Sequence, residues 1–215
     1  MPRVNPNLLL VEGKNDQHVV YALRDRHGIP NCFEVFAHDG IDPLLEALPE
    51  RLRESDRERI GVVVDADTSV GGRWDALRRI LANAGYAALP QFPDSVGTIV
   101  PSADAFLPQV GIWIMPDNQG AGMLEHFLQF LVPAGDMLLP RALRTVAEIP
   151  LPERRFPEEH RAKAEIHTWL AWQEQPGQPY GTSITTRYLD GDRPQARQFA
   201  DWMRRLFDVP APPFP

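Results

Sequence analysis

The amino-acid sequence predicts an α/β fold with a mostly parallel sheet that carries helices on both faces. Segments typical of strands and of helices alternate through the first two-thirds of the 215 residues, the order that produces parallel sheets. Several of the strand segments are apolar throughout, as in strands that are covered on both faces. Two of them end in clustered carboxylates, and ligands bind at the carboxyl ends of strands in open α/β sheets.

Five segments have the composition of strands. Residues 60–64 (IGVVV) are uniformly apolar, which predicts the central strand. Residues 33–37 (FEVFA) alternate between apolar and polar, as a half-buried strand does. The complete predicted set is residues 8–12, 33–37, 60–64, 97–100 and 110–115.

Seven segments have apolar residues at helical spacing. Gly85 predicts the end of one helix, and Pro49 predicts a break in another. The predicted helices are residues 16–27, 42–54, 72–84, 122–132, 140–147, 158–174 and 195–207. The Gly- and Pro-containing stretch QPGQPYGTS (175–183) is predicted to be a loop, and VPAPPFP (209–215) a loose tail.

The change of pattern after residue 133 predicts two parts, an α/β domain over residues 1–135 and a mainly helical extension over 136–215 packed on it. Hydrophobic content of 43% and charged content of 24% are ordinary for a globular protein. There is no apolar run of about 18 residues, no apolar leader at the N-terminus, and one cysteine. We therefore expect a cytoplasmic protein with no membrane association.

The charge distribution limits the function. A net charge of −7 argues against a protein that coats nucleic acid, and acidic residues outnumber basic ones in residues 1–140. Lys14 and Lys163 are the only lysines among 22 basic residues. A compact ammonium group differs from a planar guanidinium, so each lysine is a candidate for a role that arginine cannot take.

Two acidic clusters follow apolar strands. LLLVEGKND contains Glu12 and Asp16, and IGVVVDAD ends in Asp65 and Asp67. Alternation along a strand predicts that Asp65 and Asp67 point to the same side. Carboxylates gathered at one edge of a sheet repel one another unless a cation lies among them, and hard oxygen ligands suit Mg²⁺ or Mn²⁺.

The same motifs resemble those of the Toprim domain, which has a Rossmann-like fold. The matching residues are VEG (11–13) and DAD (65–67), and the resemblance extends over about residues 7–132. WIMPDNQGAGMLEHFL (113–128) is similar to the last strand and helix of small stand-alone Toprim-like proteins, some of them encoded beside ATPases. The motifs are also related to those of OLD-family nucleases.

The resemblance implies roles for five residues. Glu12 would contact the metal or act as general acid or base, and Asp65 and Asp67 would be metal ligands. Asp16 lies at the offset of a second acid in OLD-like nucleases, which implies a site for two metals. Lys163 would stabilise the scissile phosphate, as a lysine beyond the acidic motifs does in those enzymes.

Ordinary structural roles remain open at four of the candidate positions. Asp16 could be a helix N-cap, and Asp117, a further candidate metal ligand, could form a turn within PDN. Glu125, also a candidate ligand, lies off the apolar face of its helix and could be solvated. Lys163 could be a solvated surface residue.

The predicted function is Mg²⁺-dependent hydrolysis of phosphodiester bonds in DNA or RNA. One alternative is a Toprim-like module that binds metal or nucleic acid without catalysis and works with an ATPase partner. A lesser alternative is a haloacid-dehalogenase-like phosphatase, because DADTS (65–69) resembles the nucleophile motif of that family. The apolar helix 195–207 could pack internally or form a homodimer.

Overall fold

The computed structural model describes residues 5–102, 104 and 106–210, and it confirms the predicted α/β fold. Five strands form one sheet in the order β2-β1-β3-β5-β4. Only β4 is antiparallel to its neighbour. The strands are β1 Asn7–Val11, β2 Glu34–Ala37, β3 Arg59–Asp65, β4 Thr98–Val100 and β5 Gln109–Met115.

The helices surround this sheet. They are α1 Lys14–Arg26, α2 Ile41–Arg51, α3 Val70–Ala84, α4 Leu124–Phe130, α5 Leu138–Ala147, α6 Arg161–Ala171, α7 Tyr180–Thr185 and α8 Pro194–Phe207. A 3₁₀ turn, Glu158–His160, precedes α6, so the segment predicted as one helix over 158–174 has two parts. Within the described part of the chain, none of the helices combines the length and apolar character needed to cross a membrane.

Two predictions of local structure were wrong. Pro49 does not break α2, because it lies in the last turn and the helix continues only to Arg51. The predicted loop 175–183 contains the start of α7, where Pro179 precedes the first helical residue and the side chains of Tyr180 and Ile184 are buried. Burial of these two side chains outweighs the turn-forming composition. Most of the predicted tail, residues 211–215, lies outside the described residues.

Alternate residues of the central strands enter two separate cores, as strand geometry requires. Leu10 and Val62 pack with α2 and α3 on one face, whereas Leu9 and Val63 pack on the other face with the remaining helices. The second core includes Trp169 of α6 and the apolar side of α8. Residues of both predicted parts, 1–135 and 136–215, thus share one hydrophobic core.

Helix α8 lies close against the sheet because glycines face it. A Cβ atom at Gly111 of β5 would lie 2.6 Å from Cδ2 of Leu206, and one at Gly97 would lie 2.3 Å from Cδ1 of Trp202. Gly97 also has a φ of +89°, which disfavours any other residue. The last helix is therefore built into the cover of the sheet.

The strand register brings the two acidic motifs together. Val11 pairs with Val63 in the parallel ladder of β1 and β3, and Asp65 pairs with Met115 of β5. Glu12, which follows β1, is consequently beside the end of β3 at the carboxyl edge of the sheet. This edge is the expected ligand position in an open α/β fold.

Candidate functional site

A cavity of about 460 Å³ opens at this carboxyl edge. Five carboxylates line it: Glu12 after β1, Asp16 on α1, Asp39 in the loop after β2, Asp65 at the end of β3 and Glu125 on α4. Lys163 of α6 also lines it. The structure thus gathers five of the seven site residues predicted from the sequence.

Glu12 and Asp65 are linked through the backbone. The N–H of Asp65 donates a hydrogen bond to Oε1 of Glu12 over 2.6 Å. Oδ1 of Asp65 in turn accepts one from the N–H of Leu124 over 2.8 Å. These bonds hold both carboxylates at the strand ends and tie them to the start of α4.

Asp16 is the third residue of α1 rather than its N-cap. Its Oδ2 accepts a hydrogen bond over 3.1 Å from the N–H of Gly13, the residue that precedes the helix. An acid at this position satisfies a free N–H of the helix start and is favoured by the helix dipole. The side chain is nevertheless buried and faces the cavity, so it has both a structural contact and a place in the site.

Glu125 is buried, so the alternative of a solvated side chain is wrong. Its Oε1 accepts a hydrogen bond from the hydroxyl of Tyr180 over 3.2 Å and lies 3.7 Å from Nζ of Lys163. The sequence pattern suggested solvent exposure because Glu125 lies off the apolar face of α4. Lys163 of α6 and Tyr180 of α7 reach it there.

Burial and mutual repulsion make Glu12, Asp16 and Asp65 hard to ionise. Burial, and then the charges of Glu12 and Asp16, raise the pKa of Asp65 to about 9. Burial and the charge of Glu12 raise the pKa of Asp16 to about 7. The pKa of Glu12 is also raised by burial, against the lowering effect of its hydrogen bond from Asp65. Clusters of this kind favour a cation among them.

Asp67 lies outside the cavity, so the prediction that Asp65 and Asp67 point to the same side was wrong. Strand β3 ends at Asp65, and Asp67 has a φ of +51° and exchanges two backbone hydrogen bonds of 2.8 Å with Gly122. Its carboxylate pairs with Arg73 over 2.6 Å and lines a neighbouring cavity of about 330 Å³. Its charge still reaches Glu12 and raises the pKa of that residue.

Asp117 also has a separate role. Its Oδ1 accepts hydrogen bonds from the N–H groups of Gln119 over 3.0 Å and Gly120 over 2.8 Å. This is the turn chemistry that PDN suggested as the alternative to metal binding. The turn connects β5 to the segment that leads into α4.

Three further residues at the site carried no recognisable signal in the sequence. Arg73 donates hydrogen bonds to the backbone oxygen of Asp65 over 2.7 Å and to Asp67. Tyr180 reaches Glu125 from a segment with turn-like composition. His167 of α6 contacts Tyr180 in turn, since its Nε2 lies 3.0 Å from the hydroxyl of Tyr180.

The carboxylate oxygens of the cavity are suitable ligands for a hard divalent cation, although the side chains do not form a complete coordination shell. Among the described residues, no three His, Cys, Asp or Glu side chains are grouped as metal ligands. Backbone N–H groups engage one oxygen each of Glu12, Asp16 and Asp65. The other oxygens of these carboxylates are the atoms available to an ion. Carboxylate oxygens are what Mg²⁺ and Mn²⁺ prefer.

Fold and site together define an α/β protein with buried carboxylates at the carboxyl edge of a mostly parallel sheet. Residues 6–208 match a family model described as "Protein of unknown function (DUF3226)". The chain therefore belongs to that family. Comparison with curated proteins and comparison with solved structures each gave no match.

Proposed function

We propose that this cavity binds Mg²⁺ or Mn²⁺ and hydrolyses phosphodiester bonds in DNA or RNA. The observation that carries the proposal is the convergence of Glu12, Asp16, Asp65 and Glu125 on one cavity that also contains Lys163. The raised pKa values of Asp16 and Asp65 support it, since burial and then repulsion between the acids raise them, and a bound cation would offset that repulsion.

Glu12 and Asp65 are the residues that would hold the ion, because they lie on adjacent strand ends. Asp16 and Glu125 extend the donor set on either side. A bound divalent cation supplies positive charge for the attacking and leaving oxygens of phosphodiester cleavage. The binding of metal at these residues and the Toprim-like relationship are both part of the proposal.

Lys163 is proposed to bind the scissile phosphate. Its side chain is 46% exposed, and its ammonium group lies 3.7 Å from the carboxylate of Glu125 at the wall of the cavity. A lysine in this place can move toward a phosphate oxygen because no short hydrogen bond to Glu125 holds it. It supplies a positive charge in a cavity dominated by acids.

Asp67 supports the site through Arg73 in this proposal. The ion pair fixes Arg73, which binds the backbone oxygen of Asp65. The same geometry disfavours the phosphatase alternative, which needs Asp65 and Asp67 to act on one phosphate. The two side chains face different cavities.

The negative charge of the chain bears on its partners. A net charge of −7 gives weak general attraction to nucleic acid, so an ATPase partner could supply part of the contact with substrate. A cytoplasmic location belongs to the same proposal.

A binding module without catalysis is the second candidate. It is favoured by the excess of acidic over basic residues in residues 1–140, which gives little general attraction for a nucleic-acid substrate. An activity assay separates the two candidates.

The assay incubates the protein with plasmid, single-stranded DNA, RNA and a generic phosphomonoester in the presence of Mg²⁺ or Mn²⁺. The test variant is Asp65→Asn, and the matched control is Asp117→Asn, an identical exchange at a turn. We expect metal-dependent cleavage of nucleic acid that the first variant loses and the second retains. Cleavage of the phosphomonoester alone, or equal activity in both variants, would contradict the proposal. Metal binding with no cleavage of any substrate supports the binding module.

A further inference from the structure

We propose that Tyr180 and His167 are positioning residues that hold Glu125 in its metal-binding orientation. The inference rests on the function proposed above and assigns part of the metal site to the C-terminal helices. Tyr180 begins α7 and His167 lies on α6, so neither belongs to the segment that contains the acidic motifs. Residues that hold a metal ligand from behind strongly affect metal affinity.

The hydroxyl of Tyr180 is the sole hydrogen-bond donor to the side chain of Glu125 within the described residues. Lys163 is 3.7 Å away, beyond hydrogen-bond distance. Glu125 and Tyr180 are both almost fully buried, with 4% and 2% of their surface exposed. A buried carboxylate with one donor depends heavily on that donor for its orientation.

The direction of the hydrogen bonds follows from the proposed role of Glu125 as a metal ligand. A carboxylate that binds a metal is deprotonated and only accepts, so the hydroxyl of Tyr180 donates its proton to Oε1. That hydroxyl can then only accept from His167, whose Nε2 lies 3.0 Å away and must carry the hydrogen. The chain of donors runs from His167 to Tyr180 to Glu125, and it leaves Oε2 of Glu125 available to a cation.

The fold keeps Tyr180 in place. Gly181 follows it, and a Cβ atom there would lie 2.7 Å from the backbone oxygen of His18 on α1. This close approach fixes the start of α7 against the helix that carries Asp16. The ring of Tyr180 also lies beside that of His167, with ring centres 5.1 Å apart.

The test measures Mn²⁺ binding by electron paramagnetic resonance, independently of cleavage. Tyr180→Phe removes the hydroxyl and keeps the ring, so the fold should be preserved. Tyr188→Phe is the matched control, since that hydroxyl binds the N–H of Gln175 away from the cavity. We expect the first variant to weaken Mn²⁺ binding about 10- to 100-fold and the second to leave it unchanged.

A second pair of variants tests the donor role of His167. His167→Gln keeps an N–H donor and should bind Mn²⁺ nearly as well as the wild type, whereas His167→Leu should weaken binding. Wild-type Mn²⁺ affinity in Tyr180→Phe, or equal affinities in the two His167 variants, would overturn the inference. Mn²⁺ binding by Asp65→Asn distinguishes an error in the roles of Tyr180 and His167 from an error in the proposed metal site. If Asp65→Asn also binds Mn²⁺ normally, the metal site itself is wrong.

Discussion

Replacing Asp65 by asparagine should stabilise the protein when no divalent cation is present. The substitution keeps the acceptor for the N–H of Leu124 and removes the charge that burial and the neighbouring acids oppose. Asparagine has nearly the same shape as aspartate but no charge, so the substitution should increase the free energy of unfolding. Loss of a structural ion pair would instead decrease it.

The magnitude follows from the pKa of Asp65, which rises from 3.8 to about 9 on folding. The folded state therefore binds this proton more tightly than the unfolded state, so the stability contributed by this residue is fully present below about pH 4 and is lost as the pH rises toward about 9. At pH 7.5 the interval above 3.8 is nearly four pH units, and at about 1.36 kcal/mol each the upper limit is about 5 kcal/mol. Relaxation of the cavity reduces this, and we expect a gain of about 1–3 kcal/mol.

Urea unfolding followed by circular dichroism, in EDTA and at several pH values between 5 and 9, measures the effect. The wild type should lose stability with rising pH, and Asp65→Asn should show a smaller slope. Mg²⁺ should stabilise the wild type but not Asp65→Asn. Asp117→Asn, which keeps the acceptor for its turn, should stay within about 0.5 kcal/mol of the wild type. Reduced stability of Asp65→Asn at pH 7.5 in EDTA would show that the carboxyl group of Asp65 does not destabilise the metal-free fold.

Three further predictions concern single residues. Lys163→Ala should lower kcat/KM for nucleic acid by roughly 10²- to 10³-fold with an unchanged melting temperature, and Lys163→Arg should recover only part of the lost activity. Wild-type activity in both variants would indicate that Lys163 is an ordinary surface residue. Asp67→Ala breaks the ion pair with Arg73. Isothermal titration calorimetry should show that it weakens Mn²⁺ binding less than Asp65→Asn, which removes a charge inside the cavity. Gly97→Ala should destabilise the fold by about 2 kcal/mol or more, because its φ is positive and its Cβ would meet Trp202; an unchanged urea midpoint would contradict this.

The strands and most helices were predictable because their signals are local. The apolar run at 60–64 identified the central strand, and the acids after it marked the functional edge of the sheet. Helix α7 was missed because Pro and Gly around it suggest turns, while the burial of Tyr180 and Ile184 that stabilises it depends on the tertiary structure. The 3₁₀ turn before α6 could not be distinguished from helix by periodicity alone.

The site was predictable where strand order alone determines it. Glu12 and Asp65 meet because β1 and β3 are neighbours. Asp67 was misplaced because β3 ends two residues earlier, and the backbone then turns with a positive φ. The contacts of Arg73 and Tyr180 depend on how helices pack over the edge of the sheet, which no motif in the sequence records.

A crystal structure grown with Mn²⁺ and measured at a wavelength where manganese scatters anomalously would locate the metal. We expect an anomalous peak in the cavity, within coordination distance of oxygens of Glu12 and Asp65 and with Asp16 or Glu125 beside it. The same peak should be absent from crystals of Asp65→Asn. A cavity without manganese at millimolar Mn²⁺, or manganese bound at Asp67 or Asp117 instead, would show that these acids do not form a metal site.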